Sequence, residues 1–146
     1  MDSLRSILEI KGRTLHHVSP DETVLAAVDK MCALHVGSLL VTDESMTRGI
    51  VSERDIMRRV VLLRRDPALT RVKEIMTTSV ACIDETASVE EAMALMTKRR
   101  FRHLPVMRDG RVAGMISIGD LVHWVSQHQE FEIRVLNDYV CGRYPG

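Results

Sequence analysis

From Thr23 to Leu34 the apolar side chains fall at Val24, Ala27, Val28 and Met31. This three-and-four spacing marks one face of a helix, and Thr23 is placed to cap its first turn. The spacing then tightens. "GSLLV" (37–41) and "RGIVS" (48–52) are short apolar runs of strand length, and "ERDIMRRVVLL" (53–63) returns to helical spacing. The same succession follows once more. "SVEEAMALMTKRRF" (88–101) carries a stripe at Val89, Ala92, Met93 and Met96, and Ser88 with Glu91 has the form of a capping box. "HLPVM" (103–107) and "AGMIS" (113–117) read as two strands joined by "RDGR", whose Asp109-Gly110 pair suits a tight hairpin turn. "IGDLVHWVSQH" (118–128) closes the series as a helix.

The two halves are copies. Adding 65 carries Gly49 to Gly114, Ser52 to Ser117, Asp55 to Asp120 and Val60 to Val125 without a gap. Each copy reads strand, helix, strand, strand, helix, with the methionine stripes as core filler. A unit of about 60 residues buries little surface by itself, so the pair is expected to be the folding unit. The expected fold is α/β: two stacked β-α-β-β-α modules related by pseudo-twofold symmetry, over 8–66 and 71–127, with a tail at 128–146. The outer segments "LRSILEIKG" and "EFEIRVLNDYV" read as short helices that pack on this body or on a second subunit. Stacking would form two related clefts between the copies, the kind of place where small ligands sit.

Composition narrows the partners. The 146 residues are 45% hydrophobic and 27% charged, and 20 Lys and Arg balance 20 Asp and Glu. A net charge of zero leaves no basic surplus for a phosphate backbone, and 3% aromatic content removes stacking platforms, so nucleic acid is not expected. The cluster "KRRFR" (98–102) reads as a solvated face. No stretch has the length of a membrane span, and "MDSLRSILEIKG" fits neither a signal nor a transit peptide. Cys32, Cys82 and Cys141 form no C-x-x-C pair, which points to a reducing cytoplasm, and each is expected as a small buried hydrophobe. No metal is expected. His16 and His17 would point to opposite faces of a strand, and His35, His123 and His128 lie on helical stretches without partners at ligand spacing. Trp124 is expected at an interface or against a ligand.

Ser52-x-x-Asp55 and Ser117-x-x-Asp120 are the candidate chemistry. They could be capping boxes and nothing more. Against this, the third partner of a box is usually Glu or Gln, and both copies carry the shorter Asp, at a strand end where a helix opens toward the expected cleft. A helix N-terminus and a serine hydroxyl suit a phosphate, and a carboxylate suits the vicinal hydroxyls of a ribose. Arg54 could counter the phosphate charge in the first copy, whereas Gly119 stands in its place in the second.

"GIVSERD", "GMISIGD", the strand "RFRHLPV" (100–106) and the linker "RVKEIMT" (71–77) resemble a tandem pair of cystathionine β-synthase-type domains, the CBS pair or Bateman module, over nearly all of residues 8 to 127. The tail "EIRVLNDYVCGRYPG" resembles the end of free-standing bacterial CBS-pair proteins. The resemblance implies a regulatory, energy-sensing module that binds AMP, ADP, ATP, NAD or S-adenosylmethionine without transforming it. It also implies a homodimer and a client protein. Carried over residue by residue, one site would combine Ile50, Ser52, Arg54 and Asp55 with Phe101, Arg102 and His103, the last two reaching phosphate. The other would combine Met115, Ser117 and Asp120 with Val36, Gly37 and Ser38. That second set lacks a cation, so it would take a less charged ligand, bind weakly or borrow a cation elsewhere. Two alternatives remain: a ligand-free dimerisation scaffold, and an enzyme acting on a nucleotide. The second is disfavoured because neither serine has the context of a nucleophile elbow and no histidine base is identifiable.

Overall fold

Each copy of the repeat builds one three-stranded sheet. The computed structural model describes residues 2–44 and 46–127. The expected tail helix, His128 and Cys141 lie outside the described residues. In the first copy β1 (His17–Val18) pairs parallel with β2 (Ser38–Asp43), which pairs antiparallel with β3 (Met46–Ser52). Helix α2 (Val24–Leu34) connects β1 to β2, capped by Thr23 Oγ1, which accepts from Ala26 N at 3.1 Å. The second copy repeats the order with β4 (Ile83–Asp84), α5 (Val89–Arg99), β5 (His103–Arg108) and β6 (Arg111–Ser117). Both sheets slip register at the same place, Val41/Thr42 and Val106/Met107, next to the residues that pair with Gly49 and Gly114.

The hairpin at Asp109-Gly110 forms as the sequence indicates. Arg108 pairs with Arg111, and both turn residues have positive φ, 50° and 76°, as a type I′ turn requires. The Ser88 box forms by half: Ser88 Oγ accepts from Glu91 N at 3.1 Å, while the Ser88 backbone pairs with Ser3. The third helix of the first copy differs from the regular helix expected. It starts as α3 (Glu53–Ile56) and continues as a π-helical turn over Met57–Val61, whereas α6 (Ile118–Val125) is regular.

Two compact units result, and their composition is not that of the repeat taken end to end. One unit is Leu15–Val80; the other joins the residues up to Thr14 to those from Ala81 onward. The segment ahead of the first copy therefore belongs to the second copy's unit. Helix α1 (Leu4–Lys11) buries Leu4, Ile7 and Leu8 among Ala92, Met96, Leu104, Ile116 and Leu121. Full burial of each leucine is worth about 1.5–3 kcal/mol. In the other unit, α4 (Val72–Ile75) buries Val72 and Ile75 with Val24, Ala27, Met31 and Val51.

These leading segments explain both repeated glycines. A Cβ on Gly49 would lie 2.4 Å from the Thr77 carbonyl oxygen, and one on Gly114 would lie 2.7 Å from Leu8 Cδ2. The methionine stripes are core as expected: Met31, Met93 and Met96 are buried. The cysteines correct the expectation, since Cys32 and Cys82 are both exposed. Cys32 follows Met31 on α2, one step of about 100° round the helix from the buried stripe. Cys82 lies between Ala81 and Ile83, which pack on the core in its stead.

Candidate functional site

Strand β3 ends at Ser52, whose extended backbone (φ −126°, ψ 165°) breaks into α3. Ser52 N donates to Asp55 Oδ2 at 2.9 Å, and Asp55 N donates back to Ser52 Oγ at 3.3 Å. The capping box is therefore complete. The shorter Asp reaches because α3 begins directly at the strand end, so side-chain length does not separate a cap from a binding carboxylate here. Ser52 Oγ also donates to Asp55 Oδ2 at 3.0 Å, and Thr77 Oγ1 donates to Asp55 Oδ1 at 3.0 Å. Asp55 is 8% exposed. Around it, Ser38 pairs with Ser52, Glu53 N donates to Gly37 O at 3.0 Å, and Ile50 pairs with Thr77. Val36 leads into this strand, its N–H donating to Met31 O, and Arg54 is half-buried beside Asp55.

The second copy forms the same box with different surroundings. Ser117 N donates to Asp120 Oδ2 at 2.8 Å, and Asp120 N donates to Ser117 Oγ at 3.1 Å. The third partner is a cation: Lys11 Nζ, at the end of α1, donates to Asp120 Oδ2 at 2.5 Å and to Met115 O at 2.6 Å. Asp120 is 25% exposed, and its Oδ1 accepts from no described residue. His103 pairs with Ser117, Ile118 N donates to Arg102 O at 2.8 Å, and Phe101 N donates to Met96 O. Within its own unit, each serine–aspartate pair thus stands beside the start of that copy's first long strand: 36–38 in one, 101–103 in the other. Gly119, in the place of Arg54, brings no charge, and the cation on Asp120 is Lys11, from α1.

A further ion cluster fixes the leading segment of this unit. Glu85, 2% exposed, accepts from Arg13 at 2.9 Å, Arg108 at 2.5 Å and Arg5 at 3.3 Å. The Arg108 guanidinium, more than any other group, holds its carboxyl down to about 2. Trp124 is part of this packing: its Nε1 donates to Asp2 Oδ2 at 3.0 Å, and its ring lies against the core. Sequence reasoning missed Lys11, Thr77 and Glu85. The signal available for the first two was position alone, each at the end of an apolar segment that leads into a copy of the repeat.

Comparison with known proteins agrees with this architecture. The family model described as the CBS domain matches twice, at residues 8–62 and 72–127. The chain belongs to the CBS-domain family. It is 39% identical over 151 residues to the mitochondrial CBS domain-containing protein CBSX3 of Arabidopsis thaliana, covering 97% of this chain and 73% of that one. It is 32% identical over 104 residues to the CBS domain-containing protein YhcV of Bacillus subtilis, covering 71% and 74%. Among solved structures, a protein with CBS domains from Burkholderia ambifaria MC40-6 superposes with a TM-score of 0.84 at 43% identity, covering 88% of this chain and 97% of that one. CBS pairs are in general regulatory or signal-transduction modules. Among the described residues, no helix is long and apolar enough to cross a membrane.

Proposed function

We propose that this CBS pair binds an adenosine-containing ligand, AMP, ADP, ATP or NAD, without transforming it and passes the bound state to a client protein. The observation that carries the reading is a duplicated carboxylate held beside a serine at the end of β3 and of β6. Asp120 supports it most strongly, because its Oδ1 retains acceptor capacity for a ribose diol. The proposed ligand residues are Ile50, Ser52, Arg54 and Asp55 at one carboxylate and Met115, Ser117 and Asp120 at the other, with Val36, Gly37, Ser38, Phe101, Arg102 and His103 completing the two sets. A ligand acts allosterically only through different affinities for two conformations of the pair, and that difference is what the client reads.

Homodimerisation belongs to the same proposal. Met57, Val61, Leu62 and Leu63 are exposed on and just after the π-helical turn, whereas the positions 65 further on hold Val122, Ser126, Gln127 and His128. The first module's helix thus presents an apolar face that the second's sequence does not repeat. The free, exposed thiols of Cys32 and Cys82 support a reducing compartment such as the cytoplasm.

Asp55 favours a second reading, a ligand-free scaffold, since its carboxylate is buried and engaged by Ser52 and Thr77. Calorimetric titration with AMP and NAD, with chromatography of the recovered nucleotide, separates the readings. Saturable binding with unchanged nucleotide supports the sensor. Absence of heat at millimolar nucleotide supports the scaffold, and product formation would show an enzyme.

A further inference from the structure

We propose that Lys11 sets the ligand charge accepted by the second module: by lying on Asp120, it lets a carboxylate that takes a ribose tolerate a phosphorylated nucleoside. The inference rests on the ribose role proposed above for Asp120. A nucleoside monophosphate places its anionic group within a few ångströms of its ribose, so an uncompensated aspartate repels the ligand it holds. In the first module Arg54 stands one residue from Asp55, and in the second Gly119 stands at that point. The cation comes instead from α1, 109 residues away in sequence, at 2.5 Å from Asp120 Oδ2. The position 65 beyond Lys11 is Met76, which carries no charge, and the corresponding contact to Asp55 comes from the neutral Thr77 hydroxyl.

Docking of α1 does not need this lysine. Leu4, Ile7 and Leu8 are buried on one side of it, and Arg5 and Arg13 grip Glu85 from either end of the helix. Lys11 is held in place by a helix already anchored, so its ammonium arrives without being ordered by ligand. An ammonium has three N–H donors; among the described residues Asp120 and Met115 take two, which leaves the third for an anion. Lys11 is 38% exposed, which admits ligand but also solvent, so the effect is moderate and sensitive to salt.

The test is the affinity of the full chain for AMP and for adenosine, measured by calorimetry for the wild type, Lys11→Met, Lys11→Arg and Asp120→Asn. In the binding phase that Asp120→Asn removes, Lys11→Met is expected to lower the AMP-over-adenosine preference about fivefold, and Lys11→Arg to keep it. Raising the salt should weaken AMP in the wild type more than in Lys11→Met. Binding whose AMP-over-adenosine preference is the same in the wild type and Lys11→Met overturns the role of Lys11 and leaves the sensor reading intact. Binding that Asp120→Asn leaves unchanged overturns it as well. No binding of either compound by the wild type overturns the sensor reading, and this inference with it.

Discussion

The Thr77 hydroxyl donates to Asp55 Oδ1 at 3.0 Å, tying the segment after α4 to the cap at the end of β3. Backbone bonds in both directions between Ile50 and Thr77, at 3.0 and 2.8 Å, hold that segment in register. The first module's carboxylate is therefore positioned by the linker as well as by its own helix. Thr77→Val removes the side-chain bond and keeps the shape, and is expected to cost about 1 kcal/mol of stability. A urea midpoint unchanged from wild type, at equal m-value, would show that the bond contributes nothing.

Glu85 gives the expected acid response. Its folded-state pKa, about 2, lies below the ordinary 4.5, so its contribution is fully present above about pH 4.5 and is lost as pH falls toward 2. Glu85→Gln should lower the melting temperature by several degrees at pH 7, because three arginines lose their shared carboxylate. The gap between variant and wild type should narrow on acidification through this range. A gap independent of pH in scanning calorimetry would contradict the assignment.

Much of this molecule can be read in its residues. The offset that carries Gly49 to Gly114 fixes the repeat, and Asp109-Gly110 fixes a hairpin, because both are local chemistry. What could not be read is which copy each leading segment joins. Helix α1 stands ahead of the first copy and packs in the unit of the second, a choice made by contacts such as Leu8 against Gly114 that no local pattern encodes. Lys11 with Asp120, and Arg5 with Glu85, follow from that choice and were invisible for the same reason. The serine–aspartate pairs were legible as sites of interest. The capping box was legible as one reading of each pair, and the shorter Asp, counted against it, closes both boxes.

Gly49 and Gly114 should respond differently to alanine. At Gly49 the added methyl meets the backbone carbonyl of Thr77, a residue held to Ile50 by two backbone hydrogen bonds, whereas at Gly114 it meets the end of the Leu8 side chain. Gly49→Ala is expected to destabilise by about 1–3 kcal/mol and Gly114→Ala by less, since a side chain can shift. Chemical denaturation of the two variants checks this order, and equal losses would argue against backbone contact as the cause.

The apolar face of the first module should govern assembly. Leu62 is 74% exposed, beside Val61 and Leu63. Leu62→Asp is expected to give a monomer by light scattering where the wild type is a dimer, with an unchanged circular dichroism spectrum. A wild-type monomer, or a variant that still dimerises, contradicts use of this face.

Crystals grown in saturating AMP test the central claim most directly. The account predicts adenylate density whose ribose hydroxyls lie within hydrogen-bond distance of Asp55 or Asp120. Well-resolved maps with water alone at both carboxylates would contradict it.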